Sequence, residues 1–313
     1  MPPVNTVFCV ILSLPRSYSS IICAALGSHP QLHALPELNL FVCDSVDELL
    51  QMDARATADT GIPLTHISGL IRSLAHLQFG DKKWPRQRAF CEAERWLREH
   101  AHWSTRRLLH HVQDLVRPNV GVDKSPRTTL QHGGISRSLD WLPEGRYVHL
   151  LRHPIAFAAS LAGAHSRALG AVDPRLSSAF GPAVFGLHLW LHIHQRILDA
   201  TCRLPPSRLR TIRAEDVLRN PREQFGGLAA WLGIRTDQEA TDDMLHPERS
   251  PYANLELAPP GGDNDINFLQ RPCLRHIESL PPFEMPSAWN IDPRLFDEIA
   301  RLCKSVGYEI RMS

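Results

Sequence analysis

Six apolar residues in a row near the start of the chain, residues 7–12 (VFCVIL), constrain the fold more than any other feature. A strand with one wet face alternates apolar and polar residues. An unbroken run rich in β-branched side chains fits a strand covered on both faces, as in the middle of a parallel sheet. The run is too short to cross a bilayer. No basic stretch precedes it and Arg16 follows at once, so it does not read as a secretion signal. It leads into Ser13, Leu14, Pro15, Arg16, Ser17, Tyr18, Ser19 and Ser20, then into a helical stretch, residues 21–26, closed by Gly27. Strand, turn and helix in that order open a βαβ unit.

The pattern recurs. Residues 147–151 read as a strand, Arg152, His153 and Pro154 as a turn, and residues 155–169 as a helix with proline in its first turn. Residues 120–122 form a short strand running into Asp123, Lys124, Ser125 and Pro126, and residues 209–212 a weaker one. Strands alternating with helices predict an α/β fold: a central parallel sheet flanked by helices. With 313 residues and 43% hydrophobic side chains, one domain over residues 1–313 accommodates this. Residues 44–115 read as a helical insertion. Val184, Leu187, Leu191 and Leu198 recur at helical spacing. Residues 246–290, rich in Pro, Gly, Asp and Asn, read as a long loop or lid.

The formal net charge is +1, which argues against a nucleic-acid binder, since those carry a clustered basic excess. Any anion site must be local. Seven widely spaced cysteines form no CxxC pair, so they read as small core residues in a reduced, cytoplasmic setting. His110, His111, His188, His192 and His194 fall on helical stretches and read as structural or surface groups. There is no HExxH pattern, and no metal is expected.

The turn of residues 15–20 joins a buried strand to a helix N-terminus. Amides there lack helical partners and the helix dipole is positive, so the position suits an anion. Arg16 adds a guanidinium, which can grip a phosphate with two donors, and the serines add hydroxyls. Neither GxxxxGK[ST] nor GxGxxG is present. On the residues alone, a phosphate loop and a serine-rich helix cap beside a surface arginine both stay open.

Pro15, Arg16, Ser17, Tyr18, Ser19 and Ser20 resemble the P-R-S-G-[ST]-[ST] loop of the superfamily of sulfotransferases that use 3′-phosphoadenosine-5′-phosphosulfate (PAPS), with Tyr18 in place of glycine. The likeness is to the carbohydrate, tyrosyl-protein and bacterial branches. The resemblance continues in Gly27, Ser28, His29 and Pro30 followed by Leu35, Pro36, Glu37 and Leu38, which match an "HP…PE" segment. Arg152, with Ser160 eight residues on, matches the signature that binds the 3′-phosphate. Asp123 to Pro126 is similar to a "K-[SD]-P" segment that brings Lys124 near the active site. Arg213 to Val217 is similar to "R-Y-E-D-L", with Ala214 in place of tyrosine. Residues 262–268 resemble a "G-D-P-N-F" loop of bacterial relatives. Arg271 stands where some of those place a catalytic histidine, and His276 lies a few residues on.

The resemblance implies a P-loop-kinase-like sulfotransferase fold, PAPS as co-substrate and no metal. Arg16, Lys124 and the loop amides would stabilise charge, with donor and acceptor held in line. Glu37 is the implied base, and His276 is the competing one. The acceptor would be a hydroxyl or amine of a small or carrier-bound molecule in a bacterial natural-product pathway, with no role for nucleic acid or membrane. Two other readings stand beside this one: a P-loop-type nucleotide kinase or NTPase, and a nucleotide-binding protein without catalysis.

Overall fold

The computed structural model describes residues 8–60, 66–80, 85–168, 181–253, 266–277 and 284–312. Val7, the start of the apolar run, lies outside them. The run itself forms β1 (Phe8–Leu12), every residue of it buried. After it come α1 (Ser19–Gly27) and β2 (Leu32–Pro36). Four helices follow: α2 (Val46–Thr60), α3 (Ser68–Phe79), α4 (Arg86–Glu99) and α5 (Thr105–Val116). Next are β3 (Val120–Lys124), α6 (Pro126–Leu130), α7 (Gly134–Trp141), β4 (Arg146–Leu151) and α8 (Pro154–Ala168). The long α9 (Pro182–Thr201) leads to β5 (Leu209–Arg213), α10 (Ala214–Arg219), α11 (Pro221–Leu232) and α12 (Gln238–Asp243).

The five strands form one sheet in the order β2-β3-β1-β4-β5, and every neighbouring pair is parallel. Alternate residues of β1 serve opposite faces, as strand geometry requires. Phe8, Val10 and Leu12 join a core with α3, α5, α8 and α9, while Cys9 and Ile11 join a second core with α1, α10 and α11. A strand in that position needs apolar side chains throughout, which is why the run has no polar break.

The chain leaves β1 towards β2 at one edge and leaves β4 towards β5 at the other, although β1 and β4 are neighbours. That reversal is a topological switch point, where open α/β sheets bind ligands beyond the strands' carboxyl ends. The loops carrying Arg16 and Arg152 both emerge there.

The segment read as a long loop contains short elements: a 3-10 turn at Pro247–Arg249, α13 (Ile266–Gln270) and β6 (Glu284–Met285). β6 pairs in parallel with β7 (Arg311–Met312), which follows the last helix, α14 (Pro293–Ser305). Residues 262–265, part of the "G-D-P-N-F" resemblance, lie outside the described residues. Among those described, no helix is long and apolar enough to cross a membrane.

Candidate active site

The loop after β1 passes twice through the left-handed region, at Arg16 (φ 65) and Tyr18 (φ 60). Each such residue costs roughly 1–2 kcal/mol, a strain that persists where the surroundings hold it. Tyr18 thus adopts the conformation a glycine would take freely. The first helical bond runs from the Ile22 amide to the Tyr18 carbonyl, 3.1 Å. The amides before it therefore lack helical acceptors and stand at the positive end of α1. Ser17 is fully buried in the loop, and its hydroxyl finds no hydrogen-bond partner among the described residues.

Arg152 leaves the end of β4 and reaches back to this loop. Its Nη1 donates to the Arg16 carbonyl at 2.6 Å, and its guanidinium lies 4.5 Å from the centre of the Tyr18 ring. Arg16 Nε points to Ser160 Oγ at 3.4 Å. The turn itself is pinned on both sides. The Trp190 indole N–H donates to the Arg152 carbonyl at 2.8 Å, and the His153 amide donates to Glu215 at 2.8 Å. Glu215 also accepts from the Tyr308 hydroxyl at 2.5 Å, tying the C-terminal segment to the turn.

Arg16, Tyr18, Arg152 and Ser160 line a cavity of about 380 Å³ with Ile21, Leu218, Phe268, Arg271, Cys273 and Arg275. Four arginines face it, and no described carboxylate lines it. A concave site with that charge suits a ligand with several anionic groups, and the apolar side chains offer a surface for a flat ring.

Glu37 sits beyond the end of β2, in a turn with two further left-handed residues, Glu37 (φ 53) and Asn39 (φ 55). Successive backbone donors hold this turn. Glu37 N bonds to the Lys124 carbonyl at 2.8 Å, Leu38 N to Asp123 Oδ1 at 3.4 Å and Asn39 N to Ser125 Oγ at 3.0 Å. Ser125 Oγ in turn donates to Asp123 Oδ1 at 2.7 Å. Burial pushes the Asp123 carboxyl up to about 7, against the lowering effect of those hydrogen bonds. Lys124 Nζ donates to Glu37 Oε1 at 2.7 Å, with the lysine side chain 5% and the glutamate 16% exposed.

This ion pair opens on a narrow slot of about 30 Å³ between α1, α3 and the C-terminal segment. Most of its wall is apolar or small: Cys23, Ala24, Ala34, Pro36, Gly69 and Leu269. Ser20 and Arg72 add polar atoms, and Arg72 Nη2 holds the Tyr252 carbonyl at 2.7 Å. Phe268 lines both the slot and the arginine cavity, so the two adjoin.

The structure therefore brings Arg16, Tyr18, Arg152 and Ser160 together, and sets Glu37, Lys124 and Ser20 in the slot beside them. Pro15 and Ser19 line neither cavity and shape the loop through its backbone. His276 is exposed and lines neither cavity. Ala214 is fully buried at the start of α10, and the rings that line the cavity are those of Tyr18 and Phe268. Sequence reading gave no role to Arg72, Tyr252 or Arg275, and Phe268 entered it only as the end of the 262–268 resemblance. The one available signal was two arginines four apart, Arg271 and Arg275, in a segment otherwise rich in loop residues.

Comparison with solved structures identifies the fold. The sulfotransferase domain from the curacin biosynthetic pathway matches with a TM-score of 0.71 at 20% identity, over 97% of this chain and 98% of that one. The sulfotransferase domain of the Synechococcus PCC 7002 olefin synthase matches with a TM-score of 0.69 at 22% identity, over 96% and 94%. A sulfotransferase from Mycobacterium avium is more distant, with a TM-score of 0.51 at 13% identity over 100% and 79%. The fold is a sulfotransferase fold. The chain belongs to the sulfotransferase family, whose model matches residues 9–238. No curated protein matches it in sequence.

Proposed function

We propose that the protein moves a sulfuryl group from PAPS to a hydroxyl, or an amine, of a small-molecule or carrier-bound acceptor. The observation that carries this is the adjacency of the two cavities across Phe268, one lined by four arginines and the other by the Lys124–Glu37 pair. Arg152 and Ser160 would hold the 3′-phosphate. Arg16 and the amides at the head of α1 would hold the 5′-phosphosulfate. Ile21, Leu218 and Phe268 offer the adenine an apolar surface.

In the transfer, the acceptor oxygen bonds to sulfur as the bond from sulfur to the leaving phosphate oxygen breaks. Glu37 takes the acceptor's proton. Lys124 and Arg16 stabilise the charge that gathers on the transferring and leaving oxygens, the role fixed cations play in phosphoryl transfer. With those cations in place, no metal is required by the reading. The slot has room for the hydroxyl-bearing end of an acceptor, whose body would lie outside it. Two similar structures are domains of biosynthetic systems, which supports a biosynthetic acceptor. All seven cysteines are free, in keeping with a cytoplasmic setting. On this reading residues 1–313 work as one domain, with α3 from the 44–115 helices and Ser250, Tyr252, Phe268 and Leu269 from the 246–290 segment walling the acceptor side.

The test is transfer of labelled sulfuryl from PAPS to a panel of hydroxyl acceptors with EDTA present. The native chain should turn over. Glu37→Gln keeps shape and hydrogen bonding but accepts no proton, so turnover should fall by roughly 10²–10⁴ with donor affinity nearly unchanged. Magnesium-dependent phosphoryl transfer from ATP would replace this reading with a kinase. Nucleotide binding without any transfer would replace it with a binding protein.

A further inference from the structure

Tyr18 is the one residue of the first loop that departs from the family pattern, and it lies inside the arginine cavity. Glycine would occupy its left-handed backbone (φ 60, ψ 14) without strain, yet this chain keeps a bulky aromatic there. A side chain retained against its backbone preference needs a compensating contact. The structure supplies one, since the guanidinium of Arg152 lies 4.5 Å from the ring centre. That distance is within the range of a cation–π contact, and such contacts strengthen as the cation is withdrawn from water. Arg152 is withdrawn in this way. Burial of the guanidinium lowers its affinity for a proton. The guanidinium is also held by the bond from Nη1 to the Arg16 carbonyl.

We infer that Tyr18 is a positioning residue for donor selectivity. Its ring holds Arg152 against the first loop with its charge facing the cavity, so that preference for a 3′-phosphorylated nucleotide depends on an aromatic side chain at position 18. This rests on the reading of the cavity as a site for such a nucleotide. It adds a requirement that the family loop, with glycine there, does not have. The two loops are then coupled through side chains. The ring from the loop after β1 sets the guanidinium from the loop after β4, which a glycine cannot do.

The experiment compares calorimetric binding of 3′-phosphoadenosine-5′-phosphate and of AMP, which lacks the 3′-phosphate, to native protein, Tyr18→Phe and Tyr18→Gly. Glycine suits this backbone, so Tyr18→Gly should fold with an unchanged or higher melting temperature. It should bind the 3′-phosphorylated ligand about ten-fold more weakly, the scale of a cation–π contact removed from water. AMP affinity should change less than two-fold. Tyr18→Phe keeps the ring and should keep the preference. If Tyr18→Gly retains the full preference, or loses both ligands equally, or if Tyr18→Phe fails as Tyr18→Gly does, the positioning role is wrong. If the native protein itself shows no preference for the 3′-phosphate, the nucleotide reading of the cavity fails first and takes the inference with it.

Discussion

Glu37 combines a strained backbone with an acid side chain paired to a cation, and the strain has an identifiable source of support. The amides of Leu38 and Asn39 are taken up by Asp123 and Ser125, which flank Lys124 at the end of β3. The carboxylate is thereby delivered to Lys124 by hydrogen bonds from the neighbouring strand rather than by its own conformational preference. Other buried polar residues act on stability. His149 and His194 are wholly buried and share a hydrogen bond of 2.9 Å between Nε2 and Nδ1. Burial pushes His149 down to about 3 and His194 well below its ordinary value, and it pushes His153 down to about 4. Unfolded imidazoles titrate near 6.5. Between about 4 and 6.5 the unfolded chain therefore binds more protons than the folded one. Stability is complete above 6.5 and falls as pH drops, by about 1.4 kcal/mol per pH unit for each imidazole. Asp123 works the other way, because its folded value of about 7 lies above the ordinary 3.8 and it favours folding as pH falls. Burial also pushes His33 and His66 down to about 4, so one carboxyl stands against five imidazoles and the net is a loss. Denaturant unfolding at pH 7, 6 and 5 should show that loss, and leucine at both positions 149 and 194 should make it shallower. Constant or rising stability towards pH 5 would mean that these histidines are not held neutral by burial.

At the scale of elements, the site depends on how closely α3 approaches the end of β2. A Cβ added at Gly69 would lie 2.0 Å from the Pro36 carbonyl oxygen and 2.8 Å from that of Glu37. Gly69→Ala must push the helix and the Glu37 turn apart, an overpacking cost of roughly 1–3 kcal/mol. The variant should melt earlier and turn over more slowly, with nucleotide affinity kept because the arginine cavity is built from other loops. Full turnover at the native melting temperature would refute that account of the contact. The sheet's interior was legible in the sequence for a physical reason: β1 is covered on both faces, so its run is continuously apolar, and the buried part of β4 is interrupted only by His149. The edges were not. β2 reads Leu-His-Ala-Leu-Pro, with His33 and Pro36 half-buried, and β5 is only partly buried with arginine at both ends of its last four residues. An edge strand has less need of apolar side chains, so its sequence carries a weaker signal. The loops carrying Arg16 and Arg152 were legible because each is a local strand–turn–helix. Arg72, Tyr252, Phe268 and Arg275 were not, since they reach the site only through contacts between distant parts of the chain. Tyr18 was visible as a departure, but its partner Arg152 could be found only in three dimensions.

Across the whole molecule, two loops more than a hundred residues apart in sequence meet at the switch point of one sheet, and the C-terminal segment closes over them. Arg271 and Arg275 enter the first cavity from that segment, while Phe268 stands between it and the slot. The C-terminal end is also bound into the site's frame, because Tyr308 reaches Glu215 and through it the amide after Arg152. The fold thus assembles a polycationic cavity next to an acid–lysine pair, and the central claim is that the cavity is made for a nucleotide bearing phosphate at both its 3′ and 5′ positions. The most direct measurement is calorimetric titration of native protein and Arg152→Ala with 3′-phosphoadenosine-5′-phosphate and with AMP. The account predicts that the native protein prefers the 3′-phosphorylated ligand. It also predicts that Arg152→Ala loses about 1.5–3 kcal/mol of binding to that ligand, the value of a charge-assisted hydrogen bond, and little to AMP. Equal affinity of the native protein for the two ligands, or equal losses on substitution, would contradict it.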